Sequence, residues 1–337
     1  MTDRPQLCQE ESDIPAGADC RDFTPGIMRE LFYIENPQIS KTDAASEQSA
    51  AAYVRSAEAN PQWIWYPWLN LAVRIPGEDI YFRVRTSRNR NLITEEEQVA
   101  FRNIHIGIAG LSVGSCVLET IVATGGPKRL RIADSDTIEL SNLNRMRATI
   151  HDIGANKTRV AARRVWELDP FAEIDAWDTG ITKGRVNEFV EGLTVAIDEM
   201  DNIELKFALR GACRVRGIPV VMATDNGDGA ILDIERFDLE KDRPIFHGRV
   251  HLTEEFRPGD REQFVRLANA IIDPKIFTPR QLASVQEIGK SLTSVAQIAT
   301  GAGIAGAAVA CAVRHIACGN ELPSGRYTIG CESSFAM

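Results

Sequence analysis

No Cys-x-x-Cys pair occurs anywhere in this 337-residue sequence, so zinc held by two such pairs is not expected. The seven cysteines, at 8, 20, 116, 213, 311, 318 and 331, are odd in number and far apart. That pattern fits reduced thiols rather than a disulfide framework. Lysine and arginine form no block, and the net charge is −9, which argues against a nucleic-acid-binding tail. The start, MTDRPQLCQEESDIPAG, has neither a basic segment nor an apolar one, so no secretory signal is expected. The longest weakly apolar run, near residues 298–313, is built from Ala and Gly and falls short of the ~20 residues a membrane span needs. Together these absences predict a cytoplasmic protein that engages neither nucleic acid nor membrane.

What is present predicts a packed α/β protein. Hydrophobic residues make up 44% and charged residues 25%, a balance that supports a core rather than disorder. Residues 1 to about 60 show no sustained period and are expected to be irregular and partly helical. Next comes PQWIWYPWLNLAVRIPGEDIYFRVRT, where Trp63, Trp65 and Trp68 crowd together. These are read as the core of a small N-terminal subdomain rather than as an aromatic platform. From His105 the pattern changes: IHIGIAG, RLRIADSD, EIDAWD, LTVAIDEMD and IPVVMAT read as strands, alternating with helical segments, and GAILDIERFD as an extended return. Such alternation predicts a doubly wound, mostly parallel, Rossmann-like sheet covered on both faces. Residues 238 to 290 are less regular and are expected to lie across the site as a cover, with the Ala/Gly-rich C-terminal helix packing back onto the sheet. The expected organisation is 1–84, N-terminal subdomain; 85–237, nucleotide-binding domain; and 238–337, cover and final helix.

Two glycine-rich strings compete for a phosphate-binding role. GAGIAG, residues 301–306, is the only perfect Gly-x-Gly-x-x-Gly, but no strand feeds it. Gly301, Gly303 and Gly306 are better read as thinning one face of a buried helix. AGLSVGS, Ala109–Ser115, follows a strand and opens a helix, the arrangement that points amide groups at phosphate. There Gly110 allows the turn and Gly114 close packing, while Ser112 occupies a place where glycine is usual and adds a hydroxyl. Asp134, about 20 residues further on, is placed to accept hydrogen bonds from ribose hydroxyls. Beyond it stand Asn142, Arg145, Lys157, Asp198 and Asp201. Two cations, an amide and an acid suited to Mg²⁺ describe a triphosphate site. Singly, Arg145 reads equally well as a surface ion pair, Lys157 as a solvated helix residue, and Asp201 as the N-cap before Ile203.

GLSVGS, ADSDTIELSNLNR, IGANK and EMDN, in this order, resemble the ThiF-type adenylyltransferases, relatives of ubiquitin-activating enzymes. The resemblance covers roughly residues 85–235. The GLSVG string, with YPW and RTSRNRNLIT upstream, resembles a bacterial subgroup in which the module can be joined to a nitroreductase-like domain. The resemblance implies Asp134 as the ribose ligand, Asn142, Arg145 and Lys157 as phosphate ligands, and Asp201 as the acid that holds Mg²⁺. It implies Arg88 (or Arg90) as an arginine lent across the interface of a homodimer. The implied reaction is attack of a carboxylate on the α-phosphate of ATP, giving an acyl-adenylate and pyrophosphate.

Two departures qualify the resemblance. The zinc-type cysteine pairs of many relatives are absent, and the segment after 238 carries no cysteine before Cys311. Cys213 sits in a helix and is expected in the core; Cys331 is a remote thioester candidate. Direct capture of the activated acyl group, on a peptide or small protein such as an antibiotic precursor, is therefore expected. Activation of a ubiquitin-like or sulfur-carrier C-terminus, an NAD(P)-dependent oxidoreductase and a non-catalytic partner of an activating complex are the alternatives.

Overall fold

The computed structural model describes residues 4–250, 256–257 and 259–331. The chain forms two compact units, one of residues 1–98 with 166–171 and one of 99–165 with 172–337.

In the first unit, β1 (Gln6–Cys8), β2 (Asp19–Asp22), β3 (Gln62–Tyr66) and β4 (Leu71–Ile75) form a sheet in the order β1-β3-β4-β2. Helices α1 (Thr24–Glu35), α2 (Ala44–Ser56) and α3 (Glu78–Arg85) complete it. The first 60 residues are thus more regular than their composition predicts. Their strands are short and mostly exposed, so they carry no clear alternation. Trp63 and Trp65, two residues apart on β3, share one face and pack with Cys8 and Ala72. Trp68 is partly exposed, and its indole donates to Glu167 at 2.7 Å. Tyr66 and Tyr81 donate to the carbonyls of Trp166 and Leu168 at 3.0 and 2.9 Å.

Helix α4 (Glu95–Asn103) leads into the second unit, whose sheet has seven strands. These are β5 (His105–Ala109), β6 (Arg129–Ala133), β7 (Glu173–Trp177), β8 (Val195–Asp198), β9 (Val220–Asp225), β10 (Gly229–Glu235) and β11 (Gly325–Gly330). Their order is β11-β10-β9-β8-β5-β6-β7; the five from β9 to β7 are parallel, and β10 and β11 are antiparallel. The connecting helices are α5 (Gly114–Ala123), α6 (Lys157–Leu168), α7 (Val186–Val190) and α8 (Ile203–Arg216). After β10 come α9 (Arg261–Ile272), α10 (Pro279–Gln286) and α11 (Ala299–Ala317). The chain leaves β5 toward β6 and β7, then returns to lay β8 on the other side of β5. Such a reversal opens a crevice beyond the carboxyl ends of the strands.

Both faces of β5 are covered, as its unbroken apolar run requires. A Cβ at Gly107 would meet Leu193 and Phe189 beside α7, whereas Ile108 on the other face lies against Gly114 of α5. Helix α11 packs on that second face. A Cβ at Gly301 would lie 2.6 Å from the Gly227 carbonyl oxygen, and one at Gly306 2.9 Å from that of Cys116 on α5. At Gly303 a Cβ would meet nothing within 4 Å, so this glycine does not belong to the thinned face that GAGIAG predicts. At 19 residues with mean hydropathy 1.3, α11 is longer than the apolar run indicated and long enough to cross a membrane. Its inner face, with Ala302, Ala305, Val309 and Val313, is fully buried.

Of the segment 238–290, residues 251–255 and 258 lie outside the described residues; the rest is more regular than expected, with α9 and α10 formed. Asp260 and Thr278 cap these helices by accepting from Gln263 and Gln281 amides. On the α8 face, fully buried Arg210 bridges two strands. Its Nε donates to Glu235 at 2.6 Å, its Nη1 contacts Asp198, and its guanidinium lies 4.0 Å from the Phe246 ring centroid.

Candidate nucleotide site

The turn between β5 and α5 is held open by its own backbone. Gly110 has φ +89°, and a Cβ there would lie 2.3 Å from the Glu199 carbonyl oxygen. Only glycine tolerates both conditions. The chain then turns into α5, whose first amide groups have no acceptor within the helix and face the crevice end of the sheet.

Asp134 follows β6, the strand beside that turn. Its Oδ2 accepts from the Leu111 amide at 2.7 Å and its Oδ1 from the Asp136 amide at 2.8 Å. Burial pushes this carboxyl above its ordinary value, opposed by those two amides and by Lys157. Lys157 arrives through backbone pairing: the Ile138 amide bonds the Ala155 carbonyl, and the Lys157 amide bonds the Asp136 carbonyl. Asn156 reinforces the loop by donating to the carbonyls of Asp134, Asp136 and Asp178. IGANK is therefore a short strand-like clip that delivers a buried lysine, 7% exposed, to the strand end. Its Nζ lies 2.8 Å from Asp136 and 4.0 Å from Asp134.

Arg145 is placed by a 3-10 turn, Leu140–Asn142. Asn142, 8% exposed, accepts from the Glu139 amide at 3.0 Å, and its carbonyl receives the amides of Arg145 and Met146. The side chain of Asn142 thus shapes the turn. Arg145 Nε donates to Ser112 Oγ at 3.1 Å, and Cys116 on α5 donates to the Arg145 carbonyl at 3.1 Å. Ser112, read as an extra donor, is an acceptor here. Arg145 Nη1 also bonds Asn144 Oδ1 at 2.9 Å, so Arg145 is no solvated surface ion pair.

Asp201 is exposed in the turn after β8. The N-cap of α8 is Asn202, which accepts from the Leu205 amide at 3.0 Å, so Asp201 is not the cap. Asp198, in the same strand-end motif, is fully buried and held below its usual range; Lys206 and Arg210 overcome the opposing effect of burial. Cys213 is buried in α8, and desolvation pushes its thiol up to about 12. Arg88 and Arg90 are both exposed and belong to the first unit.

The structure brings Gly110, Ser112, Gly114, Asp134, Arg145 and Lys157 to one strand-to-helix turn, with Asn142 behind Arg145. Sequence reasoning missed Asn144, Gln297 and Asp225. Gln297 donates to Asp225 at 2.9 Å, and its carbonyl accepts from Asn144 at 2.8 Å. The only local signal was the polar run that ends β9 in ATDNGDG.

A glycine turn between strand and helix, with two cations and an acid beside it, is an arrangement suited to a nucleotide in an α/β protein. The ThiF family model matches residues 86–330, and the chain belongs to that family. It is 38% identical over 304 residues to an uncharacterized protein, MT1398, of Mycobacterium tuberculosis, covering 87% of this chain and 42% of that one. It is 32% identical over 123 residues to the SAMP-activating enzyme E1 of Haloferax volcanii, covering 36% of this chain and 44% of the other. The chain thus spans little more than two fifths of the length of these two relatives. Among solved structures, E. coli MccB with ATP superposes with a TM-score of 0.52 at 17% identity, over 91% of this chain and 83% of that one. That likeness concerns the fold.

Proposed function

We propose that this chain uses Mg-ATP to adenylylate a carboxylate on a peptide or small protein. The observation that carries the reading is the convergence of Asp134, Lys157 and Arg145 at the turn that leads from β5 into α5. In it, Asp134 holds the ribose, and the α5 amides, Asn142, Arg145 and Lys157 hold the phosphates. The donor set suits magnesium, which is commonly held by one or two carboxylates plus substrate phosphates. Asp201 would hold it, and the ion would supply neutralisation of phosphate charge. Among the described residues no cluster of three metal-ligating side chains occurs, as such a mode needs none.

The substrate carboxylate oxygen attacks the α-phosphorus, the bond to pyrophosphate breaks, and an acyl-adenylate forms. The protein contributes position and charge rather than a covalent nucleophile. Arg88 (or Arg90) of a second copy adds a further cation in a homodimer. Cys116 and Cys213, the cysteines of α5 and α8, are buried with raised thiols and unsuited to a thioester; Cys331 is exposed beyond β11, and direct capture of the acyl group is the reading that needs no cysteine. Maturation of a peptide precursor fits that chemistry, and MccB has been solved with MccA as well as with ATP. Similarity to the SAMP-activating enzyme favours a second reading, activation of a small protein's C-terminus.

Substrate-dependent exchange between ATP and labelled pyrophosphate tests the reaction. Arg145→Ala should lower that exchange by about 10²–10³. An unchanged rate would remove the assignment.

A further inference from the structure

Four strands bring their carboxyl ends side by side, in the order β6, β5, β8, β9. Asp134 stands just beyond β6 and the phosphate turn leaves β5. Asp225 ends β9, on the opposite side of that turn from Asp134. Asp225 is 5% exposed. Its Oδ2 accepts from Gln297, but its Oδ1 is buried with no hydrogen-bond partner. Buried carboxylate oxygens are seldom left so, because the lost solvation has nothing to offset it.

The surroundings tie this oxygen to the reaction site. Arg145 bonds Asn144, Asn144 bonds the Gln297 carbonyl, and the Gln297 amide holds Asp225. Arg145 also acts on the Asp225 carboxyl electrostatically, opposing the burial that pushes it up to about 6. The carboxyl is therefore mainly ionised at neutral pH. An anion in this position opposes the approach of another carboxylate unless the substrate brings a donor of its own. The last residue of a peptide does so, since its amide N–H is attached one carbon away from the carboxyl group.

On the adenylylation reading above, we propose that Asp225 Oδ1 accepts a hydrogen bond from the N–H adjacent to the carboxylate being activated. The site thereby selects peptidyl α-carboxylates over carboxylates that lack a neighbouring donor. Asp225 is a specificity residue in this account, separate from the phosphate ligands.

The test uses acetylated tripeptides with free α-carboxyl groups and matched depsipeptides in which the last amide N–H is replaced by an ester oxygen. ATP–pyrophosphate exchange is followed with the full chain. The wild-type protein should favour the amide series on the order of 10–100-fold, the worth of one hydrogen bond to a charged group. Asp225→Asn keeps the shape but can turn an NH₂ toward the substrate. It should abolish or reverse the preference, which a purely structural role of Asp225 would not do. Equal exchange of both series by the wild-type protein, or preference for the ester, overturns the role of Asp225 and leaves adenylylation standing. An absence of exchange with any carboxylate overturns the adenylylation reading itself, and this inference with it.

Discussion

Two glycines of one short string should respond oppositely to the same methyl group. In Gly306→Ala the new Cβ would lie 2.9 Å from the Cys116 carbonyl oxygen and 3.0 Å from its carbon. Both atoms are helix backbone and cannot rotate away, so α11 and α5 must separate. Overpacking of this kind costs about 1–3 kcal/mol, against a gain of roughly 0.5–1 kcal/mol from replacing a mid-helix glycine. The net effect is a loss of up to ~2.5 kcal/mol. In Gly303→Ala the methyl group enters open space, so only the gain of about 0.5–1 kcal/mol remains. For a unit of this size the melting temperature moves by about 2–4 °C per kcal/mol. Gly306→Ala should melt several degrees below Gly303→Ala, which should melt above the parent protein. Calorimetry of the three proteins decides it. Equal stability of the two variants would refute the packing of α11 on α5 described here. ATP binding gives an independent readout, because Cys116 also holds the Arg145 carbonyl.

Three further outcomes follow, two from buried charges and one from a helix cap. The Asp225 carboxyl moves from 3.8 to about 6, with Arg145 on one side and Glu199 within electrostatic reach. A raised carboxyl stabilises the fold while protonated, and that stabilisation is lost as pH rises from about 4 to 6. The stability of the parent protein should therefore fall by ~3 kcal/mol relative to Asp225→Asn across this window; parallel denaturant curves over that range would contradict it. Arg210→Met leaves Asp198 and Glu235 buried without their shared partner. That change should cost about 3–5 kcal/mol in denaturant unfolding, and a loss below ~1 kcal/mol would show the network to be dispensable. Asn202→Ala removes the α8 cap and should cost about 1 kcal/mol, read as a lower denaturant midpoint.

The part of the molecule that was legible from residues alone was the part written in local patterns. Ile106 and Ile108 alternate with Gly107 and Ala109, Gly110 marks the turn, and Asp134 comes a fixed interval later. Lys157 and Arg145 carried little weight singly and gained it from their order, with Asn142 and Asp201, after that acid. The helices α9 and α10 were missed because the Pro-, Gly- and charge-rich stretches that flank them (DRPIFHG, RPGDRE, DPKIFTPR) read as loop, although α9 carries an apolar face with Leu267, Ala268 and Ile271. Asp225 and Gln297 are 72 residues apart, and no periodicity records such a pairing. The N-cap of α8 was off by one residue because Asp201 and Asn202 are both good caps; the choice depends on where the strand ends.

Gln297 and Gly306 come late in the chain, whereas the turn they support, with Arg145 and Cys116, is translated early. Asn144 and the Gln297 carbonyl that it bonds are 153 residues apart, so the turn is braced by a segment far downstream of it. A fragment that stops before Gln297 and α11 would therefore carry Arg145 and Cys116 without the groups that pack against them.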